Sequence, residues 1–138
     1  MKIYFSASIS GGRKYLDTYK LIVKYLKSQG HDVLSEHIVL DNLLELERKL
    51  TPVSVYARDI QCLNECDAVI AEVTNPSLGV GYEICWALIA EKPTLCLFQK
   101  NTFVSWMIIG NNSPFLNLGE YDNTTELSIM VDNFLALS

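Results

Sequence analysis

The segment between residues 68 and 90 constrains the fold more than any other part of the sequence. An apolar run, Ala68 to Ala71, leads into a turn rich in proline and glycine, and a second apolar run, Ile84 to Ala90, leaves it. The first run has the pattern of a buried strand, and the second is compatible with a helix. Asn75 and Pro76 end the strand in a tight corner. Because a helix N-terminus exposes free N–H groups, this segment predicts an anion-binding corner at the end of a strand.

The same corner carries side chains that suit chemistry. Ser77 can cap the helix and offer a hydroxyl, while Gly79 and Gly81 let backbone N–H groups come close to a ligand. Glu83 follows about one turn into the helix. An acid beside an anion-binding turn is poorly placed for binding alone, so its position favours a nucleophile or general base that reacts with the bound molecule. The alternative is a first-turn acid that only stabilises the helix dipole.

A second unit of this kind opens the chain. Lys2 to Ala7 has the pattern of a buried strand, a loop of small residues runs from Ser8 to Arg13, and helical spacing continues from Tyr15 to Gln29. Gly30 then ends the helix. The loop matches neither the Walker A pattern nor G-x-G-x-x-G. If both strands are parallel, their carboxyl ends bring the two loops to one ligand crevice.

The rest of the chain repeats the alternation of strand and helix. Further strands are predicted at 32–37, 67–73, 94–98 and 115–121, with a helix that starts at Thr51-Pro52, a short one within 101–109 and a closing one over 124–137. Residues 38–50 are expected to hold a short, lid-like and mobile helix. The predicted fold class is α/β, a doubly wound Rossmann-like sandwich in which helices flank a five-stranded parallel sheet, as a single domain over 1–138.

Composition narrows the function classes. Hydrophobic residues make up 49% of the chain, which favours a globular domain, and the net charge of −5 without a basic run argues against binding a nucleic-acid polymer. A signal peptide and a bilayer-length apolar stretch are both missing from the pattern, so we expect a cytoplasmic protein without a membrane partner. The four cysteines lack zinc-knuckle spacing and nearby histidines. We therefore predict neither a metal nor a cofactor.

Several other side chains have both a chemical and an ordinary interpretation. Asp59 is either a second catalytic carboxylate or a helical acid paired with a nearby basic residue. Glu72, at a strand end, competes for the role of second acid or orients loop amides. Tyr4 is either a core aromatic or a hydroxyl that reaches an active-site carboxylate. His37 could touch a base or be a half-buried imidazole. The loop residues that could surround a phosphate are Ser8, Ser10, Gly11 and Arg13.

Taken together, these segments resemble the nucleoside 2-deoxyribosyltransferase superfamily, and within it the 2′-deoxynucleoside 5′-monophosphate N-hydrolases. The resemblance rests on residues 4–13, 35–37, 58–59 and 71–83. Its most specific part is the run Ala-Glu-Val-Thr-Asn-Pro-Ser-Leu-Gly-Val-Gly-Tyr-Glu, which ends at Glu83.

The resemblance implies hydrolysis of the N-glycosidic bond through a covalent glycosyl-enzyme on Glu83. Asp59 falls on the carboxylate that assists the departing base, and Tyr4 on the tyrosine that orients the nucleophile. The resemblance also assigns phosphate loops, a base-side histidine and a serine supplied by the second subunit of a homodimer. These residues are Ser8, Ile9, Ser10 and Gly11 in the first loop, Ser77 and Gly79 in the second, His37, and Ser113.

Two departures from the family pattern keep other functions open. Related hydrolases carry an arginine where this chain has Ser10, and Arg13 could supply the missing charge. The loop Asn111-Asn112-Ser113 is shorter than expected, and its asparagine resembles the transferase branch, which exchanges bases on deoxynucleosides. The alternatives are therefore such a transferase, a ribonucleotide N-hydrolase of the CMP type, and a nucleotide-binding domain without catalysis.

Overall fold

A computed structural model of the chain describes residues 1–9 and 11–138. Five parallel strands form one sheet in the order β2-β1-β3-β4-β5. The strands are β1 (Lys2–Ala7), β2 (Asp32–Val33), β3 (Ala68–Glu72), β4 (Thr94–Gln99) and β5 (Leu116–Tyr121). The helices are α1 (Leu16–Ser28), α2 (Leu43–Glu47), α3 (Pro52–Glu65), α4 (Leu78–Ile89), α5 (Trp106–Ile109) and α6 (Thr124–Leu137). This confirms the predicted doubly wound parallel sheet.

The strand order reverses between β1 and β3, which are neighbouring interior strands of the sheet. In open parallel sheets, the crevice for a ligand lies at the carboxyl ends of the strands where the order reverses. The loop that follows Ala7 and the corner that follows Glu72 both leave the sheet there; we call them the first and the second corner. Ala7 and Glu72 are register partners in adjacent strands.

Alternate residues of β1 face opposite sides of the sheet. Ile3 and Phe5 pack into a core that includes residues of α1 and α6, whereas Tyr4 packs with residues of α3 and α4. The helices on the two faces therefore bury both sides of β1 and β3. By the same alternation, Ser6 shares the α3 and α4 side of the sheet with Tyr4.

The predicted second strand over 32–37 was wrong beyond Val33. β2 ends there, and Glu36–Val39 forms a 3-10 helix instead. The reason is visible at Ser35, whose Oγ accepts a hydrogen bond from the Phe5 N–H (2.8 Å) and donates one to the Phe5 carbonyl (2.7 Å). One hydroxyl thus satisfies the backbone groups of β1 that a longer β2 would have paired.

The helix starts follow the capping residues in the sequence. At α3, Thr51 and Ser54 form a reciprocal capping box ahead of Pro52. Ser77 caps α4 by accepting from the Val80 N–H, as predicted.

None of the helices in the described part of the chain has the length and apolar character that a membrane span requires.

Candidate active site

The side chain of Glu83 lies between α4 and β1, where two hydroxyl groups hold its carboxylate. Tyr4 donates a hydrogen bond to Oε1 at 3.0 Å, and Ser6 donates one to Oε2. Both donors come from the same face of β1 because they are two residues apart in a strand. Each carboxylate oxygen therefore accepts a hydrogen bond from a residue of β1, while Glu83 itself lies on helix α4.

The charge state of Glu83 is set by competing effects. Burial raises the pKa of its carboxyl group above the ordinary value, and the hydrogen bonds from Ser6 and Tyr4 act against that rise. The negative charge of Asp59 also raises the pKa. A carboxylate that is partly desolvated and oriented by two donors is a suitable nucleophile once it is ionised.

Tyr4 connects the two acids of the site. Burial raises the pKa of its phenol first, and the charges of Glu83 and Asp59 raise it further. The phenol therefore keeps its proton and remains a donor to Glu83 throughout the physiological range. Because the charges of both carboxylates act on this one hydroxyl, Glu83 and Asp59 lie on the same side of the sheet as Tyr4, and their joint role in catalysis stays a prediction.

Asp59 lies on α3 and has basic neighbours. The Nε of Arg58 donates to Asp59 Oδ1 at 2.8 Å, and a second nitrogen of Arg58 donates to Glu47 on α2 at 3.2 Å. The Nε2 of His37 lies 3.9 Å from Asp59 Oδ1. The predicted pairing of Asp59 with a nearby basic residue is therefore observed, and its role as a second catalytic carboxylate stays a prediction.

His37 is half-buried at the edge of this crevice. Burial lowers the pKa of its imidazole, the nearby Arg58 charge lowers it further, and Asp59 partly opposes both. The ring is therefore mainly neutral near pH 7, with one nitrogen as a donor and the other as an acceptor. Such a ring can exchange hydrogen bonds with the edge of a nucleobase.

The first loop packs tightly against the second corner. The side-chain amide of Asn75 donates to the carbonyls of Gly11 (3.2 Å) and Gly12 (3.3 Å). A Cβ on Gly11 would lie 2.5 Å from Ser8 Oγ and 2.9 Å from the Pro76 carbonyl oxygen, so only glycine fits there. The predicted loop residue Ser10 lies outside the described residues, and the side chain of Ile9 packs against the core.

Arg13 contacts the chain that follows β2. Its two terminal nitrogens donate to the carbonyls of Ile38 and Leu40, each at 2.9 Å. The guanidinium therefore ties the first loop to the segment that carries His37.

The second corner presents its residues at the start of α4. Ser77 occupies the N-cap, and Gly79 lies in the first turn, where a Cβ would meet only Ser77 Oγ at 3.8 Å. A helix N-terminus with a serine cap is a suitable site for an anion. Ser77 and Gly79 thus lie at the start of the helix, as the sequence predicted, roughly one to two turns before Glu83.

Ser113 lies apart from the two carboxylates of its own chain. It lines a groove of about 730 Å³ on another side of α4, and neither Glu83 nor Asp59 is among the lining residues. The groove runs from Asn75 and Ser77 to the segment around Phe103. The fold therefore brings together Tyr4, Ser6, Asp59, His37 and Glu83, whereas Ser113 reaches only the outer rim of the second corner.

Ser6 is the site residue that the sequence analysis missed. Its signal was its spacing, because a strand that aims Tyr4 at the crevice also aims the residue two positions on. Glu72, the competing second acid, faces the opposite side of the sheet and accepts from Thr74 and Tyr121.

Within residues 1–9 and 11–138, no group of three or more potential metal ligands is clustered.

Two loops of a kind that can hold an anion lie next to a pair of carboxylates at the reversal point of a parallel sheet, which is where α/β proteins of this class bind small ligands. The chain belongs to the nucleoside 2-deoxyribosyltransferase family, whose model matches residues 3–134. This confirms the family that the sequence motifs indicated.

Several relatives carry more specific names. A protein of Methanosarcina mazei named "Putative 2'-deoxynucleoside 5'-phosphate N-hydrolase 1" is 42% identical over 133 residues, which cover 96% of this chain and 83% of that protein. The "5-hydroxymethyl-dUMP N-hydrolase" of Danio rerio is 39% identical over 142 positions, covering 100% and 99%.

The fold is shared with solved structures at low identity. The CMP N-glycosidase of Clostridium botulinum superposes with a TM-score of 0.72 at 21% identity and covers 97% of this chain and 99% of that chain. A 2-deoxyribosyltransferase of Bacillus psychrosaccharolyticus gives a TM-score of 0.64 at 15% identity, with coverage of 93% and 90%.

Proposed function

We propose that this protein hydrolyses the N-glycosidic bond of 2′-deoxynucleoside 5′-monophosphates to free base and 2-deoxyribose 5-phosphate. The observation that carries the proposal is Glu83, a carboxylate fixed by Tyr4 and Ser6 in a crevice that also holds Asp59. The names of the relatives support the same substrate class.

In the first step, a carboxylate oxygen of Glu83 attacks C1′ of the deoxyribose. The C1′–N bond breaks, its electron pair passes to the base nitrogen, and the base takes up a proton that Asp59 delivers directly or through water. Charge develops on the sugar as in the retaining glycosidases, and the ionised Glu83 stabilises it on one face. The product of this step is a glycosyl ester of Glu83.

In the second step, water attacks C1′ and the ester bond to Glu83 breaks. Asp59 accepts the proton of the attacking water and so returns to the form that can protonate the next base. The sugar phosphate leaves with the configuration retained, since two displacements on the same carbon cancel. This chemistry calls for no metal ion and no organic cofactor.

The phosphate is assigned to the two corners at the strand ends. We infer contacts from Ser8, Ile9, Ser10 and Gly11 in the first loop and from Ser77 and Gly79 in the second. Arg13 adds charge nearby and fixes the His37 segment. Binding energy from a phosphate far from C1′ can be used to orient the sugar against Glu83.

The groove beside α4 is assigned to a second copy of the chain. Its surroundings include strongly exposed apolar side chains, with Leu78 97%, Trp106 81% and Met107 84% exposed. An apolar face of this kind is typical of a subunit interface. A homodimer would bring Ser113 of each subunit toward the phosphate corner of its partner, and a cytoplasmic location stays part of this proposal.

The test is base release from a panel of deoxynucleoside monophosphates, ribonucleoside monophosphates and deoxynucleosides, with and without an acceptor base. We expect free base only from the deoxy monophosphates, independently of the acceptor. Faster release from ribonucleotides would replace the proposal with a CMP-type hydrolase, and exchange that requires an acceptor would replace it with a transferase. Tight binding of a deoxynucleoside monophosphate without any base release would indicate a nucleotide-binding domain without catalysis.

A further inference from the structure

Besides Glu83 and Asp59, a further acid, Glu72, lies at the same end of the sheet but on its other face. Glu72, the last residue of β3, is fully buried. Its Oε1 accepts hydrogen bonds from the Thr74 hydroxyl and from the Tyr121 hydroxyl, the latter at 2.9 Å. The mechanism above leaves this carboxyl group unused.

The partners of Glu72 connect it to the second corner. Thr74, which donates to Glu72, also accepts a hydrogen bond from the Gln99 N–H at 2.9 Å. The start of the turn that leads to Ser77 is thereby tied to the ends of β4 and β5. The next residue, Asn75, holds the first loop through two carbonyl groups. One chain of contacts thus runs from Glu72 to both corners.

The other oxygen of Glu72 is one of the buried polar atoms that lack a hydrogen-bond partner in the described part of the chain. Among the described residues, three buried side-chain oxygens have no hydrogen-bond partner, namely those of Ser8, Tyr19 and the Oε2 of Glu72. Ser8 directly follows Ala7, the register partner of Glu72. Buried polar groups of this kind are costly unless a neighbour or a water molecule satisfies them.

We propose that Glu72 is a positioning residue that acts as a neutral carboxylic acid. From the opposite face of the sheet, it fixes the two phosphate corners relative to each other. Oε1 accepts from the Thr74 and Tyr121 hydroxyls, and the proton of the neutral acid lies on Oε2, which has no hydrogen-bond partner among the described residues. This inference rests on the proposed function, because it assumes that the two corners hold the phosphate of the substrate.

The charge state follows from the surroundings of Glu72. Burial raises the pKa of its carboxyl group, and the hydrogen bonds from Thr74 and Tyr121 only partly oppose the rise. Among the described residues, no basic group acts on the pKa of this carboxyl group, so the protonated form is favoured.

The experiment compares Glu72→Gln, Glu72→Ala and Thr74→Val with wild-type protein. Glutamine keeps one acceptor and supplies N–H donors, so it should reproduce the neutral acid. Thr94→Val serves as the matched control for Thr74→Val, since Thr94 is also buried but lies at the opposite end of β4, where its hydroxyl donates to the Lys92 carbonyl. Each variant is assayed for KM and kcat on a deoxynucleoside monophosphate, for thermal unfolding, and for stabilisation by 2-deoxyribose 5-phosphate.

We expect Glu72→Ala and Thr74→Val to raise KM at least about tenfold, with kcat changed by less than about threefold, as for a loss of uniform binding. Glu72→Gln should stay within about threefold of wild type in KM. Thr94→Val should lower the unfolding temperature and leave KM unchanged. If Glu72→Ala does not fold, Thr74→Val and Glu72→Gln still decide the outcome.

An unchanged KM in Thr74→Val would overturn the proposal, as would a Glu72→Gln variant as impaired as the alanine variant. If wild-type protein releases no base from any monophosphate, the proposed function fails. The positioning role is then judged by 2-deoxyribose 5-phosphate alone. Its stabilising effect should be lost in Glu72→Ala and kept in Glu72→Gln, and equal stabilisation of both variants would contradict it.

Discussion

The environment of Glu83 determines what this carboxyl group can do. Burial makes its charged form less favourable, while the hydroxyls of Ser6 and Tyr4 stabilise that form and fix both oxygens. Desolvation keeps the anion reactive, and the two donors keep it oriented. A helix-dipole role alone would not require a hydroxyl on each oxygen.

The first prediction is the loss of turnover in Glu83→Gln. The amide keeps the shape of the side chain but cannot attack C1′, so kcat should fall at least about a thousandfold, as for the removal of a covalent nucleophile. Base release from a deoxynucleoside monophosphate measures the effect. Glu120→Gln, at an exposed acid on β5, is the control and should retain full activity. A Glu83→Gln variant with near-normal turnover would show that another group is the nucleophile.

The second prediction concerns the acid limb of kcat/KM against pH. Glu83 must be ionised to react, so activity should fall as the pH drops through its raised pKa, above the ordinary glutamate value. Ser6→Ala removes a donor that lowers this pKa, so the limb should move to higher pH. Tyr4→Phe should move it in the same direction. A limb that stays in place in both variants, or moves to lower pH, would contradict the assignment of Glu83 as the titrating group.

The third prediction separates the two roles of Asp59. As the acid that protonates the departing base, Asp59 should matter most for poor leaving groups. Asp59→Asn should therefore slow the substrates with the most basic leaving nitrogen by the largest factor, measured as kcat across a series of bases. Equal slowing of every base would assign Asp59 a structural role, as the partner of Arg58.

The two corners behave as one unit because loop contacts join the elements that carry them. Asn75 bonds the first loop, Gly11 leaves no room for a side chain, and Arg13 links that loop to the residues after β2. The geometry of the predicted phosphate site is therefore set by contacts between the loops as well as by each loop alone.

The fourth prediction follows from the space at Gly11. Gly11→Ala would place a Cβ against the Pro76 carbonyl oxygen and the Ser8 hydroxyl, and the backbone oxygen cannot move without shifting the second corner. KM for a deoxynucleoside monophosphate should rise by about tenfold or more while most of kcat is retained. Steady-state kinetics and thermal unfolding are measured together, and an unchanged KM would show that the corners do not share a ligand.

Much of this arrangement could be predicted from local sequence. Apolar runs, caps at Ser77 and Thr51, and glycine-bearing turns fix the elements, since each signal lies within a few residues of its effect. The end of β2 could not be predicted, because it depends on a hydrogen bond between Ser35 and Phe5, 30 positions apart. The roles of Ser6 and Glu72 also depend on which face of the sheet each helix covers, which no local pattern records.

Helix α4 contributes residues both to the crevice and to the groove that Ser113 lines. Glu83 points to β1, while other residues of the same helix line the groove near Ser113. A partner subunit seated in that groove would cover the apolar side chains and would lie against the helix that holds Glu83. In the proposed enzyme, assembly and activity are therefore expected to change together.

The fifth prediction tests the assembly directly. Wild-type protein should sediment as a dimer, and Trp106→Glu should shift it to a monomer by placing a charge on an apolar interface. Lys24→Glu, a charge reversal at an exposed position of α1 outside the groove, is the control and should remain dimeric. A monomeric wild type, or a Trp106→Glu variant that stays dimeric, would place the interface elsewhere or remove it.

The covalent step at Glu83 is tested most directly by mass spectrometry of enzyme quenched in acid during turnover of a deoxynucleoside monophosphate. The peptide that contains Glu83 should carry one added 2-deoxyribose 5-phosphate group, and the same peptide from Glu83→Gln should carry none. Rapid base release without any adduct on that peptide, or with the adduct on another side chain, would contradict the account.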